Sequence, residues 1–369
     1  MSRVRSNRPR AITMWDFSWI ERRWPGAGYE DWDRALDELV ERGYDAVRID
    51  AFPHFFSGAP DKTWLSLTCG QDGDWGSPTE VAIKVDDTLI EFIGKCRDRG
   101  VVVGLSTWYK DDPSHVRMNI LTPADQARIW TNTLAHIDRA GLIDSIFYVD
   151  LCNEFPQRKW APYLYGGSEE KDFRLSAEPI KQWMRQSIDA ARKVYPHIDY
   201  TFSMCTQFDS WPEQDVTMLD FLEPHIWMSH PEVSDFYNRI GYSGPKRDFQ
   251  QLVRNAEHEY RADPARHQKI LTDEIAKIAD WSRASGLPLI TTECWAIIHY
   301  RDWPMLDWGW VKELCEVGVT SAVATHRWAA IGTSNFCGPQ YRGMWRDVAW
   351  HRRLTAAIKT APIAPDLRD

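Results

Sequence analysis

The chain has 369 residues, of which 43% are hydrophobic and 26% charged, a globular composition that excludes disordered and fibrous proteins. Its formal net charge of −9 provides no basic surface for nucleic acid or an anionic membrane, and no apolar stretch is long enough to predict a membrane span. Aromatic residues are frequent, with 20 Trp, 13 Tyr and 14 Phe. Such rings suit a large core, or a ligand with flat apolar faces and polar edges, as sugars have.

The cysteines and the N-terminus predict a cytoplasmic protein. Seven cysteines form an odd set without a C-x-x-C pair, a pattern typical of free thiols in a reducing compartment. The N-terminal segment MSRVRSNRPRAITMWDF is basic and lacks the apolar centre of a secretory signal. The sequence also contains no H-x-x-x-H or H-E-x-x-H helix, phosphate-binding loop or dinucleotide fingerprint, so we expect neither a metal nor a cofactor.

Short apolar runs alternate with amphipathic helical patterns from one end of the chain to the other. The predicted strands are Ile12–Trp15, Ala46–Ile49, Val101–Leu105, Ser145–Asp150, Tyr200–Met204, Phe221–Ile226, Leu289–Thr292 and Ser321–Thr325. The predicted helices are Tyr29–Glu41, Val85–Arg99, Pro123–Ala140, Ala177–Tyr195, Arg247–Ser285, Leu306–Val317 and Arg346–Thr360. Eight strands with crossovers predict an α/β fold, a (β/α)8 barrel with long βα loops that forms a single domain over residues 1–369.

In such a barrel the functional groups lie on the loops after the carboxyl ends of the strands. Two predicted strands end in a carboxylate after an apolar run: Asn153-Glu154 follows IFYVDLC, and Glu293 follows LPLITT. A Glu that closes a buried strand is costly unless it is paired or functional, so either a structural ion pair or an active site is expected here. Arg48, at the end of the second strand, either serves this site or pairs with Asp50.

These residues resemble the signature of the clan A glycoside hydrolases, which include the family 5 cellulases. That signature is Asn-Glu at the end of strand four and Glu at the end of strand seven, matched here by Asn153-Glu154 and Glu293. The match extends to FYVDL, ITTE and the Arg48 of DAVRID. The chain is also similar to cellulase-like proteins described as sugar-binding, which share the barrel.

The resemblance implies a retaining mechanism with two carboxyl groups. Glu154 would be the general acid/base, kept protonated by burial and by the second carboxylate. Glu293 would be the nucleophile, ionised and oriented by Arg48. Asn153 would bind the sugar 2-hydroxyl, a contact that strengthens in the transition state.

The chain departs from the family 5 pattern at two places. His225 matches a His-x-Tyr motif after strand six, but Trp227 stands where the family has Tyr. The family's His near the end of strand three is missing, and Ser106, Thr107 and Trp108 occupy that stretch. These departures weaken a simple family 5 assignment.

Further substrate-binding residues are expected at the remaining strand ends. Trp328 follows the predicted last strand, where clan A enzymes often place a Trp under the cleaved sugar, although a core position is equally expected. His326 would bind a hydroxyl or be a core histidine. Trp15 and Asp16 would hold the far hydroxyls of a terminal sugar, unless Asp16 caps a turn.

The functional prediction is therefore an exo-acting retaining glycoside hydrolase for small β-linked glycosides or oligosaccharides. The loop-rich barrel mouth and the predicted compartment favour exo action. Two alternatives stay open: a non-catalytic sugar-binding barrel, and a transglycosidase with the same residues. Surplus aromatic surface would also permit a homo-oligomer.

Overall fold

The structure is a computed structural model that describes residues 2–68, 75–166, 173–243, 248–302 and 306–368. The strands are β1 Arg10–Asp16, β2 Ala46–Asp50, β3 Trp64–Ser66, β4 Val81–Ile83, β5 Val102–Ser106, β6 Ile146–Asp150, β7 Tyr200–Thr201, β8 Ile226–Trp227, β9 Leu289–Thr291, β10 Cys294–Trp295 and β11 Trp328–Gly332. Seven of these strands form one parallel sheet in the order β7-β6-β5-β2-β1-β11-β9. In addition, β8 pairs with β10, and β3 and β4 form an antiparallel pair.

The sheet closes into a barrel through the segment that leads into β8. Parallel bridges join Met204 to Pro224 and Leu222 to Leu289, so residues 222–224 fill the gap between β7 and β9. Backbone bonds from Ile226 N to the carbonyl of Glu293 continue the pairing into β10. Eight parallel chain segments therefore surround one interior, which confirms the predicted (β/α)8 barrel.

Helices cover the outside of the barrel, and five of the described ones begin at a side chain that caps the first turn. Thr122 and Asp125 form a reciprocal capping box, with Pro123 at the first helical position as the sequence predicts. The described helices, in addition to short 3-10 turns, are Ser18–Glu21, Trp32–Glu41, Pro53–Gly58, Asp86–Arg97, Pro123–Arg139, Glu178–Val194, Phe236–Arg239, Phe249–Ala262, Pro264–Ser285, Gly309–Thr325, Arg342–Trp345 and Val348–Thr360. None of the described helices combines the length and the apolarity needed to cross a membrane.

Two predicted elements are wrong. The segment Ser321–Thr325, predicted as the last strand, is the final part of the helix Gly309–Thr325, and the strand is β11, Trp328–Gly332. Both segments are short apolar runs, which periodicity alone does not distinguish. The single helix predicted over Arg247–Ser285 is two helices, because Asp263 caps a new helix at Pro264 by accepting a hydrogen bond from the Arg266 amide.

The barrel interior carries the polar side chains that the site needs. Strand β2 is buried along its whole length, and its Arg48 is fully inaccessible to solvent. Asp16 ends β1 after a register shift between Met14 and Asp16, and its φ is +33°. Strands β1, β2 and β6 therefore end in charged groups that face one another inside the barrel, beneath the loops of its carboxyl end.

Candidate active site

Glu154 lies in the turn that follows β6. Its backbone has a φ of +48°, a left-handed conformation that a non-glycine residue adopts at a cost of about 1–3 kcal/mol. The Glu154 amide donates to Ser203 Oγ at 2.9 Å, which holds this turn against the loop after β7. The Trp160 indole donates to Oε2 of Glu154 at 3.0 Å, and His225 Nδ1 lies 3.2 Å from Oε1 of Glu154. Both oxygens of the carboxylate therefore have a partner that holds them in place.

Glu293 lies between β9 and β10, at the same end of the barrel as Glu154. Its side chain is 3% exposed, against 12% for Glu154. Arg48 Nη1 donates to Glu293 Oε1 at 3.1 Å, and His225 Nδ1 is 3.5 Å from the same oxygen. A carboxylate oxygen of Glu154, His225 Nδ1 and a carboxylate oxygen of Glu293 all lie within 4.8 Å of one another. The structure therefore brings the two predicted carboxylates together.

Arg48 is the centre of a buried network of acids beneath this pair. Its guanidinium is 3.3 Å from Asp16, 3.2 Å from Asp150, 3.4 Å from Glu223 and 3.1 Å from Glu293. One positive charge therefore faces four carboxyl groups, so the cluster holds fewer ionised acids than it has carboxyls. The Asp50 pairing considered from sequence is not formed, because Asp50 accepts from the backbone amides of Phe52 and Trp108 instead.

Glu223 and Asp16, which pair with Arg48, and the nearby Asp50 have raised pKa values. Burial raises the pKa of Glu223 to about 8, although Arg48 acts in the opposite direction. Burial raises the pKa of Asp16 to about 6, again against the effect of Arg48 and of the Trp108 indole. In Asp50, burial outweighs the two backbone hydrogen bonds and raises the pKa to about 7. Part of the cluster is therefore protonated near neutral pH.

The two candidate catalytic carboxyls differ in the direction of their pKa shifts. Burial, with the charges of Glu154 and Asp16, raises the pKa of Glu293 well above its usual range, more than Arg48 lowers it. Burial also raises the pKa of Glu154, but the hydrogen bonds from His225 and Trp160 outweigh it and hold that pKa below its usual range. In the ligand-free arrangement, ionised Glu154 and protonated Glu293 are therefore favoured. The resemblance implies the opposite, a protonated Glu154 and an ionised Glu293.

His225 is buried beside this pair, and burial lowers its pKa, which favours the neutral ring. Its Nδ1 lies within hydrogen-bond distance of Glu154 Oε1. Its Nε2 is buried without a hydrogen-bond partner among the described residues. Glu154, His225 and Glu293 also have the spacing at which two carboxylates and an imidazole can hold a divalent cation. The absence of a metal, expected from sequence, stays a prediction.

Asn153 is fully buried beside Arg48. Its Oδ1 accepts a hydrogen bond from Arg48 Nη2, and its backbone amide donates to the carbonyl of Thr107 at 2.9 Å. Its Nδ2 is buried and has no hydrogen-bond partner within the part of the chain that is described. A buried amide donor without a partner is costly, and a ligand oxygen would satisfy it.

Aromatic rings surround the carboxylates. Trp227, buried at 3% exposure, has its ring 5.7 Å from His225 in an edge-on contact and stacks on His230 at 6.3 Å. Trp108 packs edge-on against Trp160, with ring centroids 4.3 Å apart. Of the four tryptophans predicted at the site, Trp108 and Trp227 therefore lie close to it.

Three residues that the sequence placed at the substrate site lie away from the two carboxylates, so the positions predicted for them are corrected here. Trp15 faces the helix layer, where it packs against Tyr29, and its indole donates to the carbonyl of Cys337. Trp328 is the first residue of β11, so it lies at the amino end of the barrel, and its indole donates to Thr291 Oγ1 at 2.9 Å. His326 is exposed and ends the preceding helix with a φ of +60°. The misplaced last strand caused two of these errors.

Sequence reasoning missed several residues of the site. No sequence pattern indicates Trp160, because it reaches Glu154 from within an irregular loop. Glu223 had a signal, since it interrupts the apolar run FLEPHIW, and an acid in such a run is either paired or functional. Asp150 and Ser106 complete the network: Ser106 Oγ accepts from Arg48 at 3.0 Å and donates to Asp150 at 2.7 Å.

Comparison with known proteins agrees with the barrel fold. A solved structure from Parabacteroides distasonis, provisionally assigned as a glycoside hydrolase, is 45% identical, with a TM-score of 0.94 over 98% of this chain and 96% of that one. A family 5 subfamily 18 glycoside hydrolase from Streptomyces cattleya, in complex with GlcNAc, is 14% identical, with a TM-score of 0.53 over 98% of this chain and 83% of that one.

An endo-1,4-β-D-mannanase from Thermotoga petrophila is 10% identical, with a TM-score of 0.54 over 88% of this chain and 87% of that one. These last two likenesses show the barrel fold alone. No protein among the curated sequences matches. The profile of the family described as sugar-binding, cellulase-like matches residues 12–359. The chain belongs to this cellulase-like family, whose barrel it shares with glycoside hydrolases.

Proposed function

We propose that the protein is a retaining glycoside hydrolase in which Glu154 is the general acid/base and Glu293 the nucleophile. The observation that carries this proposal is the approach of the two carboxylates to within 4.8 Å at the ends of β6 and β9. Retaining enzymes hold their carboxyl groups about 5–5.5 Å apart, whereas inverting enzymes leave about 6.5–9.5 Å for a water molecule. The spacing here therefore favours a double displacement.

In the first step Glu293 attacks the anomeric carbon while the bond to the leaving oxygen breaks and Glu154 protonates that oxygen. In the second step Glu154 takes a proton from water, which attacks the anomeric carbon and releases Glu293. Arg48 donates to Glu293 Oε1 and stabilises its charge when the sugar leaves. Asn153 Nδ2 would donate to the hydroxyl next to the reacting carbon.

This mechanism requires a proton to move when the sugar binds. The ligand-free arrangement favours a proton on Glu293 and a charge on Glu154, whereas attack requires the opposite. A glycosidic oxygen next to Glu154 stabilises the protonated acid, and a developing positive charge on the sugar ring stabilises ionised Glu293. We infer that substrate binding transfers the shared proton from Glu293 to Glu154.

The proposed substrate class rests on the burial of the two carboxyl groups. The side chains of Glu154 and Glu293 are only 12% and 3% exposed, and this burial favours entry of a chain end over the middle of a polymer. We propose exo action on small β-linked glycosides. The six described cysteines are free and buried, which supports our proposal that the enzyme works in the cytoplasm, whereas Cys69 lies outside the described residues.

The test is a panel of nitrophenyl glycosides, α and β, pyranoside and furanoside, assayed with wild type and Glu293→Gln. We expect turnover of one β-glycoside by wild type and a loss of about 1,000-fold or more in Glu293→Gln at an unchanged melting temperature. Activity that persists in Glu293→Gln would overturn the assignment of the nucleophile.

A second candidate function is sugar binding without turnover. Two observations favour it: the low pKa of Glu154, which disfavours an acid role, and Trp227, which replaces the family 5 tyrosine beside the nucleophile. Calorimetry with β-linked disaccharides separates the two functions. Binding to wild type and Glu293→Gln with equal affinity, and no product after prolonged incubation, would select the binding protein.

A further inference from the structure

Asp150 accepts hydrogen bonds from two buried serines at the ends of the neighbouring strands. It ends β6, between Ser106 at the end of β5 and Ser203 just after β7. Both hydroxyls donate to the same carboxyl oxygen of Asp150 at 2.7 Å, and the Ser203 amide donates to the other oxygen at 2.8 Å. All three residues are inaccessible to solvent, so bulk water does not compete for these bonds. The Asp150 carboxyl therefore fixes where both hydroxyls lie.

The hydroxyl of Ser203 connects Asp150 to the candidate acid/base. Its oxygen accepts a hydrogen bond from the backbone amide of Glu154 at 2.9 Å, while its single hydrogen goes to Asp150. A bond from the Phe155 amide to the Ser203 carbonyl, at 2.9 Å, joins the same two segments through the backbone. Glu154 has a left-handed φ of +48°, and such a conformation persists where the surrounding structure holds it. The Ser203 hydroxyl therefore helps to hold the backbone of Glu154 in place.

The hydroxyl of Ser106 makes the corresponding connection on the side of the candidate nucleophile. It accepts from Arg48 Nη2 at 3.0 Å and donates to Asp150, while Arg48 Nη1 donates to Glu293. Within the described part of the chain, Ser106 forms no hydrogen bond with Glu154. The two serines therefore share one acceptor and differ in the carboxyl group that each of them supports.

We propose that Ser203 is a positioning residue for the acid/base: its hydroxyl, held by Asp150, fixes the turn from which Glu154 reaches the leaving group. The inference rests on the proposed function, because an acid/base has meaning only in a glycosidase. A general acid must lie within hydrogen-bond reach of the leaving oxygen, and a misplacement of about 1 Å can cost about 100-fold in rate. Ser203 supplies that precision at the backbone of Glu154, whereas other residues hold its carboxyl oxygens.

The test makes one substitution at each of the two serines. Ser203→Ala removes the acceptor of the Glu154 amide. Ser106→Ala is the matched control, because it also removes a fully buried hydroxyl that donates to Asp150. For the sugar that the nitrophenyl panel identifies, we would measure kcat/KM for the nitrophenyl and the methyl β-glycoside. This ratio covers the step in which the leaving group departs, and the methyl glycoside depends far more on protonation in that step.

We expect Ser203→Ala to lower kcat/KM about 30-fold or more for the methyl glycoside and less than about threefold for the nitrophenyl glycoside. Ser106→Ala should lower the two values by the same factor, within about twofold, because it acts through Arg48 on the nucleophile. Melting temperatures establish that both variants are folded. If Ser203→Ala is not folded, Ser203→Cys, whose thiol is a weak acceptor, should show the same selective loss.

Equal losses on the two substrates in Ser203→Ala, or no loss, would overturn the inference while the glycosidase assignment stands. A loss confined to the methyl glycoside in both serine variants would also overturn it, since the effect would then come from Asp150 and not from the contact with Glu154. Failure of wild type to hydrolyse any glycoside of the panel would instead overturn the proposed function, and this role of Ser203 with it.

Discussion

Asp16 and Glu293 share one guanidinium nitrogen: Arg48 Nη1 lies 3.3 Å from Asp16 Oδ1 and 3.1 Å from Glu293 Oε1. The charge that supports the candidate nucleophile is therefore divided with a second acid. Asp16 is buried in this ion pair, and its backbone is left-handed, with a φ of +33°. Such backbone strain persists where the surrounding structure requires it, often at functional sites.

Asp16→Asn should move the alkaline limb of the kcat/KM profile to lower pH by about one pH unit. Glu293 has the higher pKa of the two carboxyls in the free enzyme, and the charge on Asp16 raises that pKa further, so removal of the charge lowers it. The measurement is kcat/KM against pH for wild type and variant. An unchanged alkaline limb would show that Asp16 does not act through Glu293, and a uniform loss of activity would indicate a structural role.

Trp160→Phe should move the acid limb of the same profile to higher pH by about half to one pH unit. Glu154 has the lower pKa of the pair, because the Trp160 indole donates to it and stabilises its ionised form, so loss of that donor raises this pKa. Trp130→Phe is the matched control, because its buried indole donates to the Leu151 carbonyl and not to Glu154. A shift of equal size in the control would contradict this account.

Glu223→Gln should make stability less dependent on pH. The pKa of Glu223 is about 8 in the folded protein and ordinary in the unfolded chain, so its contribution is fully present below about pH 4 and is lost as the pH rises towards 8. The wild-type free energy of unfolding should fall relative to that of the variant by up to about 4 kcal/mol between pH 5 and 8. Parallel curves from denaturant titrations would rule this out.

His225→Ala should lower kcat/KM by about 10- to 100-fold, because the ring hydrogen-bonds Glu154 and lies 3.5 Å from Glu293. His326→Ala is the matched control, since that histidine is exposed at the opposite end of the barrel. It should retain wild-type activity. Equal losses in the two variants would contradict the positions assigned to them.

Glu154→Ala should lose activity in proportion to the basicity of the leaving group. Nitrophenolate leaves without much protonation, so the nitrophenyl glycoside should retain most of its rate, whereas the methyl glycoside should lose about 100-fold or more. Glu293→Ala should lose activity on both substrates equally, because both need the nucleophile. Equal losses of activity on the two substrates in Glu154→Ala would contradict the assignment of Glu154 as the general acid.

The barrel was predictable because most of its strands are apolar runs bounded by polar residues, and the helix signals at Thr122 and Pro123 are strong. The last strand was not predictable, because WAAIG (residues 328–332) contains few β-branched residues. The run VTSAVAT (residues 319–325) contains several and nevertheless lies in a helix. Packing decides between such runs, and a single sequence does not contain it.

The paired carboxylates were predictable for a different reason. Glu154 and Glu293 each follow a strand, and carboxyl ends of parallel strands meet at one end of a barrel. The network below them was not predictable, because Glu223 and Asp150 reach Arg48 from strands whose register no sequence pattern fixes. The direction of the pKa shifts also depends on Trp160, whose indole reaches Glu154 only through the folding of an irregular loop.

The anomeric configuration of the first product tests the central claim most directly. The β-glycoside that the protein hydrolyses would be followed by proton NMR in deuterated buffer, before mutarotation mixes the anomers. A double displacement by Glu154 and Glu293 predicts that the β-anomer forms first and the α-anomer appears only later. Initial release of the α-anomer would contradict the account, since it would require a water molecule between the two carboxylates and a single displacement.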